Sequence, residues 1–312
     1  MFSGGIGSWA AADRVIAEHG RAGVTLLFAD VKGTGCECGH QPEQHINGRG
    51  PCNIITDVDE GTYCGCTRFT EIPFVGEDPD CYRFIEEASK MLDVELVTLR
   101  EGRNVWQVFK DNRFLGNSRL ANCSKFLKQY PARDWLADNC DPGDTIVYVG
   151  IGWDESHRMA AINAAYDPYP VHAPMCDAPF LDRAAMLQEA RKQGLTPPQM
   201  YETGYAHANC QGACVRAGQA QWKLLLENAP ATYAYHEREE QKLRDYLGAD
   251  VAILKDRTGY TATPLTLRGF RERIESQPSL FDDLEWGGCG CFVDDGPDLP
   301  DTPLLEGSWW LR

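Results

Sequence analysis

Basic residues are scarce in this chain. Lys and Arg total 30 against 46 Asp and Glu, giving a formal net charge of −16 over 312 residues. Nucleic-acid backbones are gripped by clustered cations, so the charge argues against a broad electrostatic nucleic-acid surface and leaves a local basic groove open. Long apolar runs are absent as well. No stretch approaches the roughly 18 to 20 apolar residues that a membrane span needs, so no membrane partner is expected. No leader-like segment precedes Ser3, and the expected location is the cytoplasm. No internal repeat is present.

Cysteine, by contrast, is abundant. The 13 cysteines are too many for chance in a reducing compartment, where structural disulfides are disfavoured and clustered thiols point to metal or redox chemistry. They gather as Cys36, Cys38, Cys52, Cys64 and Cys66, as Cys210 and Cys214, and as Cys289 and Cys291. Cys81, Cys140 and Cys176 stand apart and read as small buried apolar residues.

The most informative local string is Phe2-Ser3-Gly4-Gly5-Ile6-Gly7-Ser8-Trp9, followed by a helical run from Ala10 to His19. Hydroxyls and glycines at the mouth of a helix make an anion cradle. Glycine lets the backbone approach phosphate closely, and the helix N-terminus adds free N–H groups and a partial positive charge. Val24 to Asp30 then reads as a buried strand ending on a carboxylate, the start of an α/β unit with ligands at the strand ends. Only Met1 and Phe2 precede the loop, so the strand before it is very short or begins upstream of the recorded start.

Residues 31–79 break the rhythm. Cys36, Cys38, His40, His45, Cys52, Cys64 and Cys66 lie among Gly and Asp with little apolar periodicity. Too little apolar surface is available to fold the piece by burial. Zinc would supply the missing free energy, with Cys38, Cys52, Cys64 and Cys66 the preferred ligands and Cys36 and His40 the alternates. From residue 80 the pattern resumes: helix 81–92, strand 94–99, a helix from Val105, strand 144–150, helix 183–193 closed by Gly194, and a helix opening at Cys214 and reaching Asn228. The expected plan is an α/β nucleotide-binding domain from 1–30 and 80–200, with the 31–79 insertion. A cysteine-rich region, 201–293, and an acidic tail, 294–312, complete it.

Two segments carry cations. Arg119, Lys125 and Lys128 flank Cys123, and Gly150 leads through Gly152-Trp153-Asp154-Glu155-Ser156-His157 to Arg158. These four cations suit nucleotide phosphates, Arg bidentately. Positive charge beside Cys123 would favour its thiolate. Cys123, Cys210, Cys214, Cys289 and Cys291 give five thiols from three places, enough for an iron–sulfur cluster or a redox pair. His207 is a further candidate ligand.

Taken together, SGGxxS, FAD, NSRxxxCSxxLK, GIGWDESHR, APMCDxPF, Met200 to Tyr205, the Cys210/Cys214 pair and the terminal GGCGCF follow one order. That order resembles the phosphoadenosine phosphosulfate (PAPS) reductase-like family of the PP-loop adenine-nucleotide superfamily, in its phage and bacterial branch. The resemblance covers residues 2–30 and about 80–293. It implies a parallel twisted α/β sheet with helices on both faces, Rossmann-like, binding ATP, PAPS or adenosine phosphosulfate (APS). Ser3, Gly4, Gly5 and Ser8, with Gly7 between them, match the phosphate loop. Asp30 matches the strand-end position near the nucleoside, and Arg158 closes the segment after Gly150. Gly7 stands where many ATP-cleaving members carry Asp, and no ECG(L/I)H motif is present.

The function implied is an enzyme of sulfur chemistry. It would cleave ATP to AMP and pyrophosphate to activate an acceptor for sulfur transfer, with a [4Fe-4S] cluster or persulfide on Cys123, Cys210 and Cys214. The alternative enzyme is a PAPS or APS reductase releasing sulfite, with Cys289 or Cys291 as nucleophile. A third reading is a non-catalytic, metal-bound nucleotide sensor or partner subunit. The partners implied are an adenine nucleotide, a sulfur acceptor, a thiol protein or cysteine desulfurase, and a second copy of the chain. A nucleic-acid acceptor is disfavoured by the charge.

Overall fold

The computed structural model describes residues 1–33, 46–52, 55–57, 62–63, 65–67, 76–117, 120–258 and 261–276. Their architecture is mixed α/β: many helices around small sheets, with parallel pairing at the centre.

The chain enters α1 (Ile6–His19) and returns as β1 (Thr25–Asp30). The helix starts four residues earlier than its alanine run suggests, because Gly5 is extended and serves as N-cap. A short antiparallel hairpin, β2 (Ile55–Asp57) with β3 (Thr62–Tyr63), lies in the insertion. Next come α2 (Pro79–Leu92) and β4 (Glu95–Arg100). Asp78 caps α2 by accepting the Asp80 N–H at 2.8 Å, with Pro79 at the first helical position. β1 and β4 pair in parallel from Thr25↔Glu95 to Asp30↔Arg100.

The helix α3 (Val105–Asp111) opens on a capping box, in which the Asn104 side chain accepts two backbone N–H groups and Gln107 answers the Asn104 N–H. The next helical stretch is α4 (Asn122–Ser124), a π-helical turn Lys125–Gln129, and α5 (Tyr130–Asn139). β5 (Val147–Tyr148) pairs in parallel with β6 (Val171–His172) across α6 (Met159–Tyr166). The remaining elements are α7 (Arg183–Lys192), α8 (Gln219–Asn228), α9 (Pro230–Leu247), the antiparallel β7 (Leu254–Asp256) and β8 (Thr263–Leu265), and α10 (Leu267–Ser276).

The two parallel pairs are joined by the first residues of the chain. The Phe2 N–H donates to Leu27 O at 2.8 Å, and the Met1 nitrogen lies 2.6 Å from Tyr148 O. Residues 1–3 therefore run between β1 and β5, and the loop from Ser3 to Ser8 leaves at that seam. On one side of β1, Leu26 and Phe28 pack with Trp9, Phe84, Ile85 and Met186 of α1, α2 and α7. A second core joins Leu136 of α5 to Val147, Ile162 and Tyr166. Each fully buried large apolar side chain contributes about 1.5–3 kcal/mol.

The largest core draws on both sides of residue 200. Trp106, Phe109 and Leu115 pack with Trp222, Tyr233, Ile253 and Phe270, so the cysteine-rich region shares its core with the segment around α3. The helix expected to open at Cys214 starts instead at Gln219, and the strand expected over 144–150 pairs only at Val147–Tyr148. Cys210 and Gln211 each have φ 52° and Gly212 φ 82°, a left-handed run that delays the helix.

Candidate functional site

The glycine–serine loop folds as a closed cradle. Ser8 Oγ accepts the Ser3 N–H at 3.2 Å and the Ser3 hydroxyl at 3.3 Å, and donates to Gly5 O at 2.8 Å. Gly4 is left-handed, φ 77°, which only glycine adopts without strain. The first N–H groups of a helix have no intrahelical acceptor. Tyr201 Oη takes that of Ile6 at 3.0 Å, and the regular ladder begins with the Trp9 N–H to Gly5 O at 3.3 Å. The Gly7 and Ser8 amides complete the first turn. Gly7 and Gly150 are pressed together: a Cβ on Gly7 would lie 2.8 Å from Gly150 O, and one on Gly150 only 2.5 Å from Ser8 Cα. The glycine at 7, where the resemblance leads one to look for Asp, has this close approach as its local cause.

A cavity of about 400 Å³ opens over this loop, lined by Ser3, Gly5, Gly7, Ser8, Gly150 and Arg158 among others. Arg158 closes a 3-10 turn, Trp153–Arg158. Its side chain is 7 % exposed and pairs through Nη1 with Glu155 Oε1. Its Nε and Nη2 are buried and make no hydrogen bond with the described residues. A buried guanidinium with two idle donors is costly unless an anion meets it.

Residues remote in sequence complete the wall. Tyr201, Arg183 and His207 line the same cavity. Arg183 Nη1 donates to Ala206 O at 2.9 Å. Burial lowers the His207 pKa; Glu155 pulls it up, while Arg183 and Arg158 push it further down. The imidazole is held neutral.

Asp30, expected near the nucleoside, is not part of this wall. Its buried carboxylate accepts from Tyr82 Oη at 2.6 Å, from Arg100 Nε at 3.0 Å and from the Lys32 N–H at 2.9 Å. It ties β1 to β4 and α2. Lys128, read as a phosphate ligand, is also engaged elsewhere: its side chain is 5 % exposed and its Nζ lies 3.1 Å from Glu77 Oε1. Lys125 stacks over Tyr130 at 5.7 Å. Neither lysine reaches the loop cavity.

Lys128 lines instead a second cavity of about 260 Å³ together with Cys123, Cys210 and Cys214. Cys123 and the Cys210/Cys214 pair, remote in sequence, thus line one chamber. Glu77 organises its wall, since its second carboxylate oxygen accepts the Cys210 N–H. The two cavities are neighbours, because Asn209 lines the first and Cys210 the second. Among the described residues no three His, Cys, Asp or Glu side chains converge on one metal position. Thiolate donors suit an iron–sulfur cluster by type, but these three do not form a ready ligand set.

Of the zinc candidates, Cys52 and Cys66 are joined by a backbone hydrogen bond, Cys52 N–H to Cys66 O at 3.1 Å. Cys36, Cys38, His40 and Cys64 lie outside the described residues, as do Arg119, Cys289 and Cys291. Arg183 and His207 carry no local motif linking them to the loop; the advance signals were the Met200–Tyr205 string, which holds Tyr201, and the proximity of His207 to the cysteine pair. No helix among the described residues is long and apolar enough to cross a membrane. Comparison with protein-family models finds no match, and no curated protein matches the sequence significantly.

Proposed function

We propose that the loop cavity binds the phosphates of an adenine nucleotide, in the manner of the PP-loop, PAPS reductase-like proteins that the motif order resembles. The reaction proposed is cleavage of ATP to AMP and pyrophosphate in order to activate an acceptor for sulfur. The observation that carries the reading is Arg158: a buried guanidinium with two nitrogens unpaired among the described residues, lining the same cavity as the first turn of α1 and the Ser3–Ser8 cradle. Helix N-terminus and arginine fork act on the same ligand chemistry. The placement of residues 1–3 between two parallel strand pairs supports a Rossmann-like sheet with the loop where such sheets bind ligands.

In this reaction an acceptor oxygen attacks the α-phosphorus, the α–β P–O bond breaks and pyrophosphate leaves with the bond electrons. A sulfur nucleophile then displaces AMP. Arg158 stabilises the charge that builds on the departing phosphates, an effect strongest in a site shielded from water. The neutral His207 is placed to hold or pass a proton at the same cavity. Cys123, Cys210 and Cys214 line the adjoining chamber and are the sulfur carriers on this reading.

Calorimetry on anaerobically purified protein, comparing ATP, PAPS and APS, tests the reading. Preference for ATP supports adenylylation. Preference for PAPS or APS replaces it with the reductase reading, and no binding of any of the three removes both.

A further inference from the structure

Two large aromatic side chains stand in solvent at the edge of the loop cavity. Trp153 is 51 % exposed and Phe180 61 %. Their rings meet edge-on, centroids 6.2 Å apart. Trp153 lines the cavity on one lip, and Leu181, Asp182 and Arg183, which follow Phe180, line it on the other. The aromatic pair therefore bridges the two lips.

The pair is held in place from behind. Arg14 of α1 donates to Pro174 O at 2.6 Å, to Asp177 O at 3.0 Å and to Pro179 O at 2.8 Å. One guanidinium thus fixes the whole run leading to Phe180. On the opposite lip, Trp153 begins the turn that Arg158 ends. Five residues at about 2.0 Å each set them roughly 10 Å apart along the turn. The anion-seeking end is deep and the aromatic end is at the mouth.

Flat aromatic faces exposed at a mouth recruit other flat rings, and stacking on such a face strengthens binding of a base by about tenfold or more. At the lips Asp154 and Asp182 outnumber Arg183, Glu155 being paired with Arg158, so the mouth is acidic on balance and favours a neutral ring.

We propose that Trp153 and Phe180 form the docking platform for the planar heteroaromatic ring of a second substrate, the acceptor. It would enter from the mouth toward phosphates held inside. The proposal rests on the nucleotide reading of the interior. The ring can belong to a free nucleoside or to a base in a single strand, and the acidic lips favour the nucleoside.

The test titrates cytidine, uridine and guanosine, and separately a ten-nucleotide single strand, into ATP-saturated wild type, Phe180→Ala and Trp153→Ala, with circular dichroism as the folding control. The expected result is nucleoside binding to wild type that falls tenfold or more in both variants. ATP affinity of Phe180→Ala should stay at the wild-type value, since Phe180 is not part of the cavity wall. Binding of the single strand alone, with the same losses, keeps the platform and assigns its ring to a strand. Absence of any probe binding, or binding indifferent to both substitutions, overturns the proposal. Weakened ATP binding in Phe180→Ala overturns it too, because the pair would then hold the base of ATP itself. Should wild type fail to bind ATP, the interior reading falls, and the same titrations on nucleotide-free protein decide the platform by the same criteria.

Discussion

The carbonyl oxygen of Gly150 lies where a Cβ on Gly7 would come within 2.8 Å of it. Backbone meets backbone here, so no side chain can rotate away to relieve a larger residue. Gly150→Ala and Gly7→Asp are each expected to cost about 1–3 kcal/mol of stability as overpacking. They should also displace the first turn of α1 and abolish nucleotide binding. Thermal melts with and without ATP check both effects. A Gly7→Asp variant that binds ATP normally would refute the tight seam as the reason for glycine at that position.

Arg158→Met should lower affinity for ATP and for inorganic pyrophosphate by about tenfold to a hundredfold, the worth of a charge-assisted hydrogen bond or two. Stability of the ligand-free protein should change little: the lost pairing with Glu155, itself 31 % exposed, is offset by removal of two buried nitrogens that make no hydrogen bond with the described residues. Arg158→Lys keeps the charge and loses the fork, and should fall between wild type and Met. Calorimetry paired with denaturant titration separates these outcomes from a structural role, which would lower stability first.

The buried pair of Lys128 and Glu77 leads to the opposite pattern. Lys128→Met strands a carboxylate whose side chain is 1 % exposed. The expected loss is about 3–5 kcal/mol. Adding Glu77→Gln should recover much of it, and urea unfolding of the single and double variants measures the coupling. Loss of ATP affinity with stability intact would restore Lys128 as a phosphate ligand.

What was legible in the sequence, and what was not, follows the range of the interactions. The glycine–serine loop was readable because its six residues are contiguous and its glycines serve backbone geometry. The strand β1 was readable from its apolar run. Asp30 was expected near the nucleoside and Lys128 at the phosphates, yet a charged residue at a strand end or beside a cysteine carries no mark of its partner. Arg100, Tyr82 and Glu77 engage them across 50 residues or more of sequence. The delayed start of α8 has a similar origin, since apolar spacing alone did not register the left-handed run at Cys210–Gly212.

His236 predicts an acid-labile core. Burial pushes its pKa down to about 3, and Nδ1 accepts the Trp106 Nε1–H at 3.1 Å, so the ring is neutral with its proton on Nε2. In the unfolded chain the imidazole titrates near 6.5. Below that pH the unfolded state binds a proton that the folded state refuses. Stability therefore falls as pH drops from about 6.5 toward 3, by about 1.4 kcal/mol per pH unit from this group. His236→Gln should flatten that part of the profile in urea titrations between pH 7 and 4. An unchanged slope would show that His236 is not its source.

Asn209 faces the loop cavity and Cys210 the thiol chamber, so one peptide unit is the partition between two rooms. A ligand that presses on this partition from either side exchanges free energy with the other, and reciprocity makes the two effects equal. If the loop cavity takes a nucleotide, occupancy on the thiol side would gauge its affinity, and its affinity the state of the thiols.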